Sequence, residues 1–240
     1  LEQEKILAAK TQPWNPKSAA KNAVLAGYGT LGRFTPAYGN RTVVLLYHRV
    51  NDSQRDSVTI GAEQFETHMR YLADHYRVVS ISELIKGEVP SGGPLVAVNF
   101  DDGYLDNYQY AAPILVKHGV QATFFISTDN VSHNLPFAHD VEKLGHGLDA
   151  MNWDQVREMH REGLEFGSHT ANHINLAASP ADLVATELLR SKQDLERELG
   201  LSEVMFAYPF GKRADITPER LEQVRAAGYV CNCSAYGGVN

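Results

Sequence analysis

The ten residues from Leu95 to Tyr104, LVAVNFDDGY, run from an apolar, strand-forming stretch directly into two adjacent carboxylates, Asp101 and Asp102, and a glycine. Like charges side by side raise each other's pKa unless a cation or a shared proton separates them. The pair suits either a bound metal ion or an ordinary Asp-Asp-Gly turn closing a strand. A second cluster, His169-Thr-Ala-Asn-His173, spaces two imidazoles four apart, so both reach one ion if the segment makes a helical turn. It lacks the glutamate of the His-Glu-x-x-His metalloproteases, so a base must come from elsewhere. Two imidazoles and one carboxylate form an open zinc arrangement that leaves a position for water. His48 after VVLLY and Tyr208-Pro209-Phe210 after VMFA end two further apolar runs.

These groups meet only if the runs before them are parallel strands, because residues at the carboxyl ends of such strands share one face. Val43 to Tyr47, Leu95 to Phe100 and Ala122 to Ser127 have strand character, while Glu63 to Tyr76 and Asn107 to His118 carry helical periodicity. Phe65, Met69, Leu72 and Tyr76 fall on one face of the first helix. Ser80 to Glu83 and Asn152 to Gln155 read as capping boxes, with Met151 and Val156 stapling the second. Ser179-Pro180 and Thr217-Pro218 each place a capping hydroxyl before a proline. Gly119, Gly163 and Gly228 stand at helix ends directly before apolar segments. About seven strand-helix units from Val43 onward predict an α/β barrel rather than a flat doubly wound sheet. Thr128 to Ala150, with His133, His139 and His146, reads as a long loop whose histidines are solvated or reach a ligand. Residues 1–40, with a short helix from Glu2 to Lys10 and a Gly-rich tract, read as an arm, and 41–240 as one domain.

Composition narrows the partners. Of 240 residues 43% are hydrophobic and 21% charged, as in a water-soluble domain, and no apolar run is long enough for a transmembrane segment. A net charge of -7 argues against nucleic acid and suits a neutral or mildly cationic partner. No Gly-x-Gly-x-x-Gly or P-loop supports nucleotide binding. Cys231 and Cys233 read as small buried side chains. Leu1 to Asn40 shows no signal-peptide pattern, so a targeting signal is absent or already removed, and the location, cytoplasmic or extracytoplasmic, stays open.

Taken together, Phe100-Asp101-Asp102-Gly103, Ser168-His169-Thr170-Ala171-Asn172-His173 and Tyr208-Pro209-Phe210-Gly211 resemble, in order, three motifs of the polysaccharide deacetylases with a NodB homology domain, carbohydrate esterase family 4. The resemblance runs from about Val43 to about Ser234. It implies a distorted (β/α)7 barrel, a divalent metal ion, most simply zinc, and an N-acetylated glycan or amino sugar as substrate, with acetate released. It assigns Asp102, His169 and His173 to the metal, Asp101 to the general base and the Phe210 backbone amide to the oxyanion. Tyr208 and Tyr104 become candidates for lining the sugar site, Tyr104 alternatively covering the rim. Trp153 reads as core packing, and Asp106 and Asn107 as helix caps.

Two departures stand out. The arginine that often opens the third motif and orients the base is Ala207 here, leaving either no partner or another cation such as Arg49. The family's late general-acid histidine is absent, since no histidine follows His173. Members resembling the deacetylases of poly-N-acetylglucosamine export have a permuted order with the acid in an early Tyr-His segment, which Tyr47-His48 fits, making His48 the candidate acid. Alternative readings are an O-acetyl esterase, a non-sugar amidohydrolase of the same fold, and a non-catalytic glycan-binding homologue.

Overall fold

The structure, a computed structural model, describes residues 42–54, 56–88 and 94–236. The arm expected over residues 1–40 and its short helix lie outside them. In chain order the elements are β1 (Thr42–Tyr47), β2 (Arg49–Val50), β3 (Thr59–Ile60), α1 (Ala62–His75), β4 (Arg77–Val78), α2 (Ile81–Lys86), β5 (Leu95–Phe100), α3 (Ala112–His118), β6 (Thr123–Ile126), α4 (Thr128–His133), α5 (Ala138–Leu144), α6 (Trp153–Arg161), β7 (Glu165–Ser168), α7 (Ala181–Leu199), β8 (Phe206–Ala207), α8 (Pro218–Ala226) and β9 (Asn232–Cys233).

Seven strands form one sheet in the order β1-β5-β6-β7-β8-β9, every pairing parallel, with β4 against the start of β5 and β6 against its end. The expected strand count holds, and the sheet curls into a half-barrel. Among the described residues β1 and β9 do not pair with each other, so the curl stays open. Strand β5 is buried along all but its first residue, as suits a parallel strand covered on both faces. Edge strand β1 is largely exposed, with Val44 at 49%.

Register is pinned by an aromatic ladder. Tyr47, Phe100, Phe124 and Phe166 are cross-strand partners on β1, β5, β6 and β7, with ring centroids 5.5, 4.6 and 5.6 Å apart. A slip of one residue would turn every side chain to the other face, so these stacks fix which residues leave the strand ends toward the site.

Local signals mostly act as read. Ser80 and Asn152 close capping boxes, and Thr217 caps α8. Gly119 ends α3 at φ 63, a conformation that a side chain would strain. Three expectations shift. Ser179 makes no cap bond, because α7 starts one residue later with Pro180 outside it. Tyr76 follows the end of α1 and is 37% exposed, off the buried face of Phe65, Met69 and Leu72. The helix expected from Asn107 opens as a π-helical turn over Asn107–Ala111, and Pro113, which has no N–H to donate, sits in the first turn of α3.

Residues 128–150 do not form the long loop expected: they contain α4 and α5, of 6 and 7 residues, each ended by a left-handed residue, Asn134 and Gly145. Helices this short carry too few turns for periodicity to reveal and depend on packing for stability. Among the described residues no helix is long and apolar enough to cross a membrane.

Candidate active site

The strand ends deliver what the topology promises. His48 follows β1, Asp101 and Asp102 follow β5, His169 follows β7 and Tyr208 to Phe210 follow β8. His48, Asp101, Asp102, His169, His173 and Phe210 line one cavity of about 390 Å³. A larger cavity of about 540 Å³ shares the Tyr104 wall but is lined by no imidazole, so the candidate site is the smaller one.

Asp102, His169 and His173 each turn a donor atom toward a common point, all within 4.8 Å of one another. Asp102 Oδ1 lies 2.9 Å from His173 Nε2 and 3.5 Å from His169 Nε2. Yet this buried oxygen takes no hydrogen bond of adequate geometry. Ligand atoms of three side chains converging on one point, with a buried carboxylate oxygen left without a well-formed hydrogen bond, are what a cation site requires, so these residues fit a metal ion. The tautomer of His169 agrees: its Nδ1–H donates to the Ala207 carbonyl at 2.9 Å, leaving Nε2 as the lone pair facing Asp102. Where the arginine of the third motif is missing, the main chain of Ala207 thus holds a candidate ligand in place.

The two imidazoles converge without the helical turn that their spacing would suit. Their segment is a tight turn in which Thr170 and His173 take φ values of 64° and 53°. The N–H groups of Thr128 and Asp129 hold the carbonyls of Thr170 and Ala171 at 3.2 and 2.8 Å. Glu187 accepts from the backbone and side chain of Asn172 at 2.8 and 2.7 Å. Asp102 and Phe210 are left-handed too, at 75° and 63°, so four of the five described non-glycine residues with positive φ stand in the three motifs.

Electrostatics separates the two carboxylates. Burial and the adjacent Asp102 charge hold Asp101 well above the ordinary carboxylate range. Burial would also raise Asp102, but His173, His48 and His169 outweigh it and hold Asp102 low. Two neighbouring acids pushed apart in this way suit different roles, one keeping charge and one exchanging a proton. Burial, then His173, lowers His169 to about 3, so its ring is neutral and able to ligate. Burial also lowers His48.

The opposite wall joins two residues weighed from the sequence, Arg49 and Tyr104, to two that no motif singles out, Asp56 and Asp140. Arg49, weighed as a partner for Asp101, instead pairs with Asp140 at 2.7 Å and with Asp56, and donates to Thr59 and to the Tyr104 hydroxyl. Tyr104 lines the cavity, but its hydroxyl is engaged by Asp140 at 2.7 Å and His139 at 3.0 Å. His139 lines the cavity as well, while His133 and His146 are exposed. Tyr208, a candidate for the sugar site, is a core residue packed on Phe206, 2% exposed and not among the cavity's lining. Asp106 caps no helix: it accepts from Asn51 at 2.6 Å. Asn107 donates to the His48 carbonyl at 2.8 Å and so tethers the candidate acid. Trp153 packs on the core as read, its N–H on Ser132.

A parallel half-barrel with an Asp-His-His set facing a rim cavity places the protein among α/β barrel proteins that work at the carboxyl ends of their strands. The model of the polysaccharide deacetylase family matches residues 88–231, and the chain belongs to that family. YxkH of Bacillus subtilis, named as a polysaccharide deacetylase, is 29% identical over 191 residues, covering 78% of this chain and 61% of that protein. The chain therefore spans less than two thirds of that relative's length. The poly-beta-1,6-N-acetyl-D-glucosamine N-deacetylase of Staphylococcus aureus is 28% identical over 218 residues, covering 79% of this chain and 70% of that one. Among solved structures, IcaB from Ammonifex degensii superposes with a TM-score of 0.65 at 29% identity, covering 79% and 81% of the two chains. The Streptococcus pyogenes deacetylase PplD, with a TM-score of 0.70 at 23% identity over 83% and 85%, shares the fold.

Proposed function

We propose that the protein is a metal-dependent hydrolase that removes N-acetyl groups from amino sugars of a glycan and releases acetate. The observation that carries this reading is the buried, unbonded Asp102 Oδ1 facing two imidazole nitrogens. Asp102, His169 and His173 would hold the ion, and one carboxylate with two imidazoles best suits zinc. Such an ion lowers the pKa of a bound water from about 15.7 to about 7 and polarises an acyl oxygen.

The chain's own groups supply the proton traffic. Asp101 takes a proton from the attacking water, a role served by a carboxyl pKa that burial and the Asp102 charge raise well above its ordinary value. His48, lining the same cavity, acts as the imidazolium, which the Asp102 charge favours against burial, and gives a ring proton to the departing amine nitrogen. The Phe210 backbone N–H donates to the developing oxyanion, a preorganised donor of the kind that contributes strongly to such reactions. The substrate class is supported by the printed name of the Staphylococcus aureus relative, and a net charge of -7 is compatible with a product that gains positive charge.

Metal content and acetate release on N-acetylglucosamine oligomers, for the intact protein and Asp102→Asn, test this directly. The intact protein is expected to hold about one equivalent of zinc and to lose acetate release on chelation. Asp102→Asn is expected to lose both metal and release. A folded protein that takes up no metal when loaded would sink the mechanism, and a loaded one that releases no acetate from any oligomer would sink the substrate class.

A further inference from the structure

We propose that His139, at the start of α5, is a substrate-binding residue whose Nδ1 accepts a hydrogen bond from an N–H or O–H of the amino sugar in the catalytic cavity. The inference rests on the deacetylase reading above and concerns a histidine that none of the three motifs contains.

Proton counting fixes the ring. The Tyr104 hydroxyl has one proton and three partners: Asp140 Oδ2 at 2.7 Å, His139 Nε2 at 3.0 Å and Arg49 Nη1 at 3.3 Å, which can only donate to one of its two lone pairs. Asp140, in its ion pair with Arg49 at 2.7 Å, can only accept. Tyr104 therefore gives its proton to Asp140, and His139 Nε2–H donates to the Tyr104 oxygen. In the neutral imidazole that leaves Nδ1 with a free lone pair. The network thus selects a tautomer as well as a position.

Position completes the argument. The His139 ring lies 4.6 Å from the His173 ring and 6.4 Å from the Phe210 ring, and it lines the same cavity as Asp101 and His48. Among the described residues none hydrogen-bonds Nδ1, and the His139 side chain keeps 19% of its surface exposed. A fixed acceptor at the cavity wall, backed by a buried tyrosine, an aspartate and an arginine, matches a ligand rich in N–H and O–H donors. An N-acetylated amino sugar is such a ligand.

The two amide variants separate this contact from a structural role, because asparagine places its oxygen near the site of Nδ1 and glutamine places its amide near Nε2. Zinc-loaded wild type, His139→Ala, His139→Gln and His139→Asn would be compared for KM, kcat and metal content on N-acetylglucosamine oligomers. Affinity would be read by calorimetry for the same set in an Asp101→Asn background. Alanine and glutamine are expected to raise KM and Kd about tenfold, one hydrogen bond's worth, with kcat within about threefold and metal content unchanged. Asparagine is expected to recover most of that loss.

The inference falls if glutamine behaves as wild type while asparagine behaves as alanine, which would make the Tyr104 bond the purpose. It also falls if the variants lose zinc, which would make His139 a ligand. Oligomer binding with the expected pattern but without turnover in any protein would sink the deacetylase reading alone. Turnover with an unaltered KM would sink this inference alone, and neither binding nor turnover would sink both.

Discussion

The two walls of the catalytic cavity are held by opposite means. On one side Asp101 and His169 are fixed through their main chain, their N–H groups reaching the Tyr47 and Ile126 carbonyls at 3.1 and 2.9 Å. On the other side Arg49, Tyr104 and Asp140 are fixed through buried side chains, with the exposed Asp56 pairing to Arg49 from the rim, and Arg49 and Asp140 lie 91 positions apart in sequence. A sheet ladder places its strand ends whatever side chains they carry. An ion network places nothing unless every member is present, since a lone buried charge is far worse than none. Damage to the first wall should therefore remove chemistry and spare the fold, and damage to the second should do the reverse.

The sharpest way to break this comparison is Asp140→Ala, which strands Arg49 without its most buried partner. Urea unfolding is expected to show a loss of about 3–5 kcal/mol, with zinc content unchanged at a temperature where the protein remains folded. A loss under about 1 kcal/mol, or a loss of zinc, would mean that the walls are not separable in this way.

Asn107 joins the two walls through the His48 carbonyl, and Asn107→Ala should register on both. A loss of about 1–3 kcal/mol is expected with a fall in kcat, because the tether of the candidate acid goes with the buried donor. Unchanged kcat at reduced stability would leave Asn107 with structural work only.

The smallest effect is a pH signature. Burial raises Asp106 from its ordinary 3.8 to about 6, against the opposing bonds from Asn51 and Asn107. A carboxyl with a raised folded pKa adds stability that is fully present below the unfolded value and is lost as pH rises through the folded one. Asp106→Asn stays neutral throughout, so it should melt a few degrees above wild type at pH 8 and converge with it near pH 4. A gap that stays constant across that range would assign the change to something other than ionisation.

The same contrast explains what could be read from the sequence. Strand ends, capping boxes and the Asp-Asp-Gly and His-Thr-Ala-Asn-His segments are local, and each announces itself within a few residues. The second wall is assembled from β2, the segment before β3, the turn after β5 and α5, and no short window contains two of its three charged members with a visible reason to pair, except where Arg49 precedes Asp56. His139 was legible only as one of three histidines in an irregular stretch, because a seven-residue helix has too little periodicity to announce itself. Tyr208 misled for the opposite reason: it belongs to a motif whose main chain reaches the rim while its ring points into the core.

The left-handed residues of the motifs carry a consequence for descent. Each non-glycine side chain held at positive φ costs roughly 1–2 kcal/mol that glycine would not. Thr170 and Phe210 hold such angles without supplying a proposed ligand atom from their side chains. At Thr170 a change to glycine would also remove a buried side chain whose Oγ1 accepts from the Ile174 N–H at 3.2 Å, whereas Phe210 is 44% exposed. A lineage that gave up turnover but kept the barrel would therefore gain stability by letting glycine drift into the second position, where this chain keeps a phenylalanine.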